Sequence, residues 1–511
     1  MLENRYIEQT IRDKAHLVML FFNRPSISLQ EVKEIVGLTS LQVRQYCKEL
    51  DLLYSGRLNI TLTKGHIQAD LTEPAALETF LYPLYRQSGI LQLLRFFIIN
   101  PIKNGKSLAH FAKEQFISTA SAYRLREAIV PYIEEIGLRL VKNSIVGEEY
   151  RIRYLIAFLQ TKFGIDIYEL TPKDQLITRH FLFDSASHLR PSHLLSESFI
   201  FYNVLLSLSW KRHDKSVRLP ESAIFNKLTR IFIYEKLAKS IEEILQPQTG
   251  LTFQKDDLDY LFLIYLTASN SFASQKWSKE HIQQVRAIFE ADPAFSQLLR
   301  AIQQLSPLFL DKNDDLVHIL IYFYLYFLFD LQDLIPEQVR CSSRTYQGHA
   351  GFFQAVNQVV NQWLRAIGAK GPHCQHLFLL CNHLEQLLRN CQPPIKLVCI
   401  AANAVNARLL KDAISALFSP KSVAVHSFYL LIDDIYNISD LEPDLVITHQ
   451  KLIPFVKKEL TPNVATLDFS SPDFNGRVSQ LQKRILDLKE EKYEKIMTEQ
   501  FATSATQEPD V

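Results

Sequence analysis

The amino-terminal residues combine helical and extended hydrophobic patterns in a fixed order. Apolar residues at helical spacing over residues 7–22 predict a first helix. Residues 28–31 (SLQE) form a capping box for a short second helix, and Thr39 is placed to cap a third. Apolar positions then alternate at period two on either side of residues 64–65, which predicts a hairpin. This order predicts a winged helix-turn-helix domain over residues 1–75.

The same order of patterns recurs over residues 76–165. Ser107 and Ser118 are placed to cap a short helix and a longer one, and the longer helix ends before Gly137. A smaller hairpin around Lys142 follows, and then another helix. We therefore predict a second winged helix-turn-helix domain in tandem with the first.

The rest of the chain divides by the period of its hydrophobic pattern. Residues 166–392 have apolar residues at helical spacing almost throughout, and breaks in the pattern predict two helical domains at 166–288 and 289–392. Short apolar runs alternate with helical patterns over residues 393–501, which predicts a small α/β domain. Residues 502–511 are polar and are predicted to form a disordered tail. The predicted fold class is mainly α and multidomain.

The composition narrows the class of protein. The chain has 511 residues, with 56 Lys and Arg against 55 Asp and Glu, so any attraction to phosphate must come from local basic patches. Six unevenly spaced cysteines do not suit a disulfide framework, and they favour a reducing, cytoplasmic location. The longest apolar run, residues 319–329, is shorter than the about 20 residues that cross a bilayer, so no membrane association is expected.

Both predicted third helices carry side chains suited to a recognition helix. A helix in the major groove presents short polar residues, amides and long cations to base edges and phosphates. Residues 103–126 also hold five cations against one anion, Glu114. The predicted DNA contacts are Ser40, Gln42, Arg44, Gln45, Lys48 and Lys64 in the first unit, and Thr119, Ser121, Tyr123, Arg124 and Arg126 in the second. The alternative is an ordinary three-helix packing element with a solvated polar face.

Patterns typical of catalysis or metal binding are weak. The sequence has no glycine-rich phosphate loop, nucleophile elbow or dinucleotide fingerprint. Five residues of metal-ligating type lie close together, namely His373, Cys374, His376, Cys381 and His383. In one continuous helix, however, the cysteines and the later histidines would lie on different faces. We therefore predict neither an enzyme nor a metal site, and no cofactor.

Seven short motifs spread over the chain carry a resemblance to a known family. The motifs are SAYRLR at 121–126, GEEYRIRYLI at 147–156, KFG at 162–164, LSLSWKR at 206–212, DLDYLFL at 257–263, NSFA at 270–273 and DLVITH at 444–449. Together they resemble the Mga-like and RofA-like regulators of Gram-positive cocci, most closely the RofA/Nra branch. The resemblance implies a stand-alone transcriptional regulator of adhesin, pilus and other virulence genes.

The same resemblance implies an architecture and a set of partners. It implies two DNA-binding modules, two regulation domains of the sugar phosphotransferase system (PRD domains), and a carboxy-terminal domain like phosphotransferase component IIB. The implied partners are double-stranded promoter DNA, a phosphocarrier protein of the phosphotransferase system, and a second copy of the chain bound through the carboxy-terminal domain.

The resemblance also points to residues that would receive phosphate. His180 and His318 match the early histidine of each regulation domain, and a structural histidine is the alternative at both positions, while Ile264 replaces the later histidine of the first domain. In component IIB a cysteine at the end of the first strand is phosphorylated. Here Ile400 takes that position, and Cys399 lies one residue earlier. We therefore expect that the carboxy-terminal domain has kept the fold and lost the chemistry.

Two other functions share parts of this pattern. An RNA-binding antiterminator also joins regulation domains to a nucleic-acid module, but that class begins with a short β-rich domain, whereas helices are predicted first here. A phosphotransferase component needs a reactive cysteine in a glycine-rich loop, and Ile400 argues against one. A DNA-binding regulator is therefore the prediction.

Overall fold

The computed structural model describes residues 2–63, 65–182, 197–267, 278–336, 346, 348–371, 374–401, 404–429, 436–459, 464–469 and 474–501. The chain divides into two compact units. Unit 1 consists of Met1–Gln304, Asp314–Gly348 and Val356–Asn382, and unit 2 of Leu305–Asn313, His349–Ala355 and His383–Val511. Within the described ranges, every helix is too short or too polar to cross a membrane.

The elements of the first winged unit follow the predicted order. They are α1 (Gln9–Asn23), β1 (Ser26–Ser28), α2 (Leu29–Val36), α3 (Ser40–Leu53), β2 (Leu58–Thr63) and β3 (His66–Leu71). The strands form an antiparallel sheet in the order β1-β3-β2. The predicted capping box is confirmed, because the Ser28 hydroxyl accepts the Glu31 amide and the Glu31 carboxylate accepts the Ser28 amide. A second capping box pairs Thr39 with Gln42 at the start of α3.

The second winged unit follows a short helix, α4 (Glu78–Tyr85). Its elements are α5 (Gly89–Ile99), α6 (Leu108–Glu114), α7 (Thr119–Glu135), the antiparallel strands β4 (Arg139–Val141) and β5 (Ser144–Val146), and α8 (Glu149–Phe163). Ser107 and Ser118 cap α6 and α7 through their hydroxyls, as predicted. Gly137 follows α7 with a left-handed φ of 74°, and a Cβ there would lie 3.2 Å from the Arg151 guanidinium, so the position favours glycine.

The following region is helical, as the hydrophobic pattern predicts. Its helices are α9 (Pro172–Leu182), α10 (Glu197–Lys211), α11 (Ala223–Leu228), α12 (Phe232–Ser240), α13 (Gln246–Thr249), α14 (Lys255–Thr267), α15 (Lys279–Glu290), α16 (Pro293–Gln303), α17 (Leu308–Asp311), α18 (Asn313–Leu325), α19 (Ala350–Ile367) and α20 (Cys374–Asn390). A single π-helical turn, Ile241–Leu245, joins α12 to α13 without interruption, so the chain leaves the helix only at Gly250. The predicted boundary between residues 288 and 289 falls within α15. The domain boundaries stay predictions.

Unit 2 contains a small α/β fold. Its strands are β6 (Ile395–Ala401), β7 (Val423–Tyr429), β8 (Leu445–Thr448) and β9 (Ala465–Asp468), and its helices include α21 (Ala404–Leu417), α22 (Tyr436–Asp440), α23 (Ile453–Glu459) and α24 (Phe474–Gln500). The strands are parallel in the order β7-β6-β8-β9. The sequence did not predict β9, because its four residues lie at the sheet edge and are only half-buried. The β6 side chains alternate between two cores on opposite sides of the sheet.

Helix α8 is buried along its whole length although it carries charged side chains. The Glu149 carboxylate accepts hydrogen bonds from Arg153 Nε at 3.0 Å and from Arg212 Nε and Nη2 at 2.6 and 2.8 Å. The Arg153 side chain is 0% exposed, and its Nη2 also donates to the Arg212 carbonyl. Burial lowers the pKa of Arg212, but the hydrogen bond to Glu149, the charge of Glu149 and the contact with Tyr168 together outweigh burial, so the pKa is raised. One carboxylate thus compensates two buried guanidinium groups.

The other cations of α8 reach different parts of unit 1. Arg151 Nη1 donates to the Ile136 and Asp330 carbonyls, and its Nη2 lies 3.3 Å from the Asp330 carboxylate. Lys162 forms a 2.7 Å ion pair with the buried Glu3. Helix α8 therefore fastens the amino-terminal residues, the second winged unit and the helical region to one another.

Replacing Glu149 with Gln should leave Arg153 and Arg212 buried without a countercharge. Breaking a buried pair in this way costs about 3–5 kcal/mol of the free energy of unfolding. We expect the first transition in urea unfolding, followed by circular dichroism, to move to lower urea accordingly. The matched control is Glu243→Gln, since Glu243 forms an exposed pair with Lys239 and should contribute less than about 0.5 kcal/mol. Equal shifts for the two variants would show that the buried network does not stabilise the fold.

Candidate nucleic-acid interface

Helix α3 has a buried face and an exposed face. The buried residues are Val43, Tyr46, Cys47 and Leu50, as the sequence predicts. The exposed residues at helical spacing on the opposite side are Leu41, Arg44, Gln45, Lys48 and Leu52. We call these five residues the outer face of α3. Among the predicted contacts, Ser40 and Gln42 are half-buried beside this face, and the Gln42 side-chain oxygen accepts the Thr39 amide.

The two acidic side chains of α3 are both engaged. Lys14 Nζ lies 2.5 Å from the Glu49 carboxylate, which also accepts the Gln45 amide at 2.8 Å. The hydrogen bond from Lys14, and after it that from Gln45, lowers the pKa of Glu49. Asp51 accepts the backbone amide of Ile60 at 2.8 Å and so faces the wing. Arg44 and Lys48 therefore set the sign of the potential on the outer face.

The wing of the first winged unit is a regular antiparallel hairpin. The pairing of β2 with β3 runs from Leu58 and Leu71 to Thr63 and His66. The Gly65 carbonyl accepts the Leu29 amide at 2.8 Å, which fixes the wing to the start of α2. Lys64, a predicted contact, lies outside the described residues.

Helix α7 presents the corresponding surface in the second winged unit. Its buried residues are Ala122, Ile129, Tyr132 and Ile133. Of the predicted contacts, Thr119, Tyr123 and Arg124 are exposed. Ser121 is half-buried, its hydroxyl lies 2.8 Å from that of Ser118, and Arg124 Nη2 donates to it at 3.2 Å. The structure therefore brings Arg124 to the capped start of the helix.

The placement of Arg126 follows from aligning the two helices on their caps. When Ser118 is matched to Thr39, Arg126 corresponds to Cys47, which faces the core of the first winged unit. Arg126 is accordingly half-buried, at the border of the exposed face. In the same alignment, Arg124 corresponds to the exposed Gln45.

A basic patch lies beside α7. Its exposed cations are Lys103, Lys106, Lys113 and Arg124. Glu114 is the one acidic residue in the sequence from 103 to 126, and its carboxylate lies 3.1 Å from Lys106 and 2.8 Å from His110. The hydrogen bond from Lys106 lowers the pKa of Glu114. The Asn100 side chain accepts the Lys106 amide at 2.7 Å and donates to the Asn143 carbonyl at 3.0 Å. This side chain ties the basic loop to the second wing.

The apolar residues at the second positions of α3 and α7 are not among the predicted contacts. Leu41 is 77% exposed on the outer face of α3, and Ala120, at the corresponding position of α7, is also exposed. The predicted contacts are all polar or charged residues and therefore include neither of the two. Helical position would have indicated Leu41, because it lies one turn before Gln45 and two turns before Lys48.

The two candidate regulatory histidines differ in their surroundings. His180 in α9 is exposed, and the Gln248 amide lies 3.0 Å from its Nδ1. His318 in α18 is half-buried, and its Nδ1 lies 3.3 Å from the Asp314 carbonyl. It lines a cavity of about 150 Å³ together with Arg286 and Asp314, which form an ion pair. His318 therefore has a cation close by.

The position that the resemblance predicts for a phosphorylated cysteine lies in a buried part of β6. Cys399 is 0% exposed, and burial raises the pKa of its thiol to about 12. The thiol is therefore protonated and unreactive at neutral pH. Ile400 is buried in the core on the other side of the sheet.

Of the residues of metal-ligating type around α20, two are buried and His383 is exposed. His376 is buried with its Nε2 3.2 Å from the Ile335 carbonyl, and Cys381 is fully buried. His373 lies outside the described residues. In the part of the chain that the structure describes, no three His, Cys, Asp or Glu side chains are grouped to hold a metal ion.

Comparisons with known protein families cover both kinds of domain. The Mga helix-turn-helix domain matches residues 75–160, and the PRD domain of the M protein trans-acting positive regulator (MGA) matches residues 191–387. His318 lies inside the second match, whereas His180 precedes it. No curated protein matches the chain significantly. The two matches, in this order and over more than half of the chain, show that it belongs to the Mga-like regulators with PRD regulation domains.

Proposed function

We propose that this chain is a DNA-binding transcriptional regulator that presents α3 and α7 to the major groove of promoter DNA. The observation that carries the proposal is the charge on the two helix surfaces. Arg44, Lys48 and Arg124 are exposed, whereas the neighbouring acids Glu49 and Glu114 are bound by cations. Such a surface suits phosphates and base edges. The match to the Mga helix-turn-helix domain supports the same role for the second winged unit.

The proposed targets are virulence, adhesin and pilus genes, as the resemblance implies. An RNA-binding antiterminator is the competing function. That class begins with a short β-rich domain, so the helices at the start of the first winged unit favour DNA. Competition between a promoter duplex and RNA hairpins for the full-length protein separates the two. Mapping of bound DNA across the genome identifies the targets.

We also propose that a phosphocarrier protein of the phosphotransferase system controls the regulator through His318. A phosphoryl group adds about −1.5 to −2 charges. At His318 these charges would compete with Asp314 for the Arg286 guanidinium, which also pairs with Glu290. Phosphate would therefore change how α15 contacts α18. His180 is the second proposed acceptor.

Finally, we propose that the chain forms a homodimer through its component IIB-like α/β domain. The parallel order β7-β6-β8-β9 supports the likeness to component IIB. Val405 and Leu409 lie one turn apart on α21 and are 67% and 62% exposed. A second copy would cover this apolar pair, and homodimers are the commonest soluble assembly.

Arg44→Ala and Arg124→Ala should each weaken binding to a mapped promoter duplex at fixed salt. We expect a cost of about 1–3 kcal/mol with relaxed specificity for Arg124→Ala, and a salt slope lower by about one for Arg126→Ala. The measurement is fluorescence anisotropy at several salt concentrations, with circular dichroism to confirm folding. Arg230→Ala, an exposed arginine in the helical region, is the control. Unchanged affinity for both Arg44→Ala and Arg124→Ala would rule out these helices as readers.

His318→Ala should abolish transfer of labelled phosphate from the phosphocarrier protein to the chain, or reduce it to the share that His180 accepts. His318→Asp and His180→Asp, which add negative charge, should shift promoter output and self-association in the opposite sense to the Ala variants. The control is His281→Ala, because His281 stacks on Phe232. If Ala and Asp at both positions leave output and association unchanged, the histidines are structural.

Leu409→Arg should convert the dimer into a monomer, because a buried cation without a partner is costly at an interface. Sedimentation velocity of the full-length protein measures the change. Leu486→Arg is the matched control, since Leu486 on α24 is 67% exposed. A Leu409→Arg protein that stays dimeric places the interface elsewhere.

A further inference from the structure

The outer face of α3 carries two large apolar side chains, Leu41 near the start of the helix and Leu52 near its end, beside Arg44, Gln45 and Lys48. Leu41 is 77% exposed at the second position of the helix, on the same face as Gln45 and Lys48. Exposed leucines are common on protein surfaces, so exposure alone assigns no role. The position is informative, because the first turns of a recognition helix approach base edges most closely.

The chemistry of the major groove offers one apolar partner at base edges. Thymine presents a C5-methyl group there, and apolar side chains contact it, whereas adenine, guanine and cytosine present donors and acceptors. A leucine placed among Arg44, Gln45 and Lys48 would exclude water from such a methyl group while the polar neighbours bind phosphates and bases. From this geometry we infer that Leu41 reads a thymine methyl group in the major groove and is a specificity-determining residue.

The second unit has a smaller apolar side chain at the same position. Ala120, like Leu41, is the second residue of its helix and is exposed. A methyl side chain also suits thymine, but it reaches less far and buries less area than leucine. Discrimination in favour of thymine should therefore come mainly from the first unit. This inference rests on the proposed DNA-binding function and specifies what one side chain reads.

The chain provides a matched control for Leu41. Leu52 is 80% exposed on the same face of α3, eleven residues later. At 1.5 Å per residue it lies about 16 Å further along the helix axis, away from the end that enters the groove. Leu41→Ala and Leu52→Ala are chemically identical changes at exposed helical positions, and neither should destabilise the fold, because alanine favours helices.

The test compares thymine with uracil, which pairs identically but lacks the methyl group. The probe is a duplex selected from a random-sequence library by the full-length protein, prepared with thymine or with uracil at each position in turn. We expect the unchanged protein and Leu52→Ala to prefer thymine about threefold to tenfold at one or two positions. Leu41→Ala should lose most of that preference while its non-specific affinity at low salt stays the same.

The remaining outcomes separate this inference from the proposed function. A thymine preference that survives in Leu41→Ala, or one absent from the unchanged protein, overturns the role of Leu41 but leaves DNA binding intact. A change in oligomeric state on Leu41→Ala, measured by sedimentation, also overturns it, because Leu41 would then belong to a protein interface. Failure of the unchanged protein to bind any duplex overturns both proposals.

Discussion

The fold of unit 1 depends on a helix that is buried on every side and still carries charge. Helix α8 follows the second wing, and the Glu149 carboxylate at its start compensates Arg153 and Arg212. Farther along, Lys162 pairs with Glu3 near the amino terminus. Directional hydrogen bonds to one carboxylate fix the positions of Arg153 and Arg212. Helix α8 thereby joins the amino-terminal residues, the second winged unit and the helical region.

Features set by local rules could be predicted from the sequence. The capping box of Ser28 and Glu31, the serine caps of α6 and α7, and both hairpins depend on residues a few positions apart, and the structure confirms them. The buried face of α3 also follows from helical spacing alone. The charged residues of α8 are different, because only the folded chain brings Arg212 to Glu149 across 63 positions of sequence. No local sequence pattern predicts the ion pair between Arg212 and Glu149.

The candidate interface shows the same division. Sequence placed Arg44, Lys48 and Arg124 on exposed helix surfaces, and they are exposed. It did not show that Arg126 lies at the border of the core, since one helical position decides between exposed and half-buried. Nor did it select Leu41, because a search for charged and polar readers discards apolar residues in advance. Side-chain type therefore predicted which charged residues are exposed on these helices, but it did not predict the exposed apolar residues.

The carboxy-terminal sheet shows how packing sets the surroundings of Cys399. β6 lies between β7 and β8, so both of its edges are paired, and its side chains enter the cores on the two faces of the sheet in turn. Cys399 points into one core and Ile400 into the other. A thiol at Cys399, with its pKa raised by burial, cannot act as a nucleophile. The packing of these two cores stabilises the sheet and also keeps the Cys399 thiol buried and protonated.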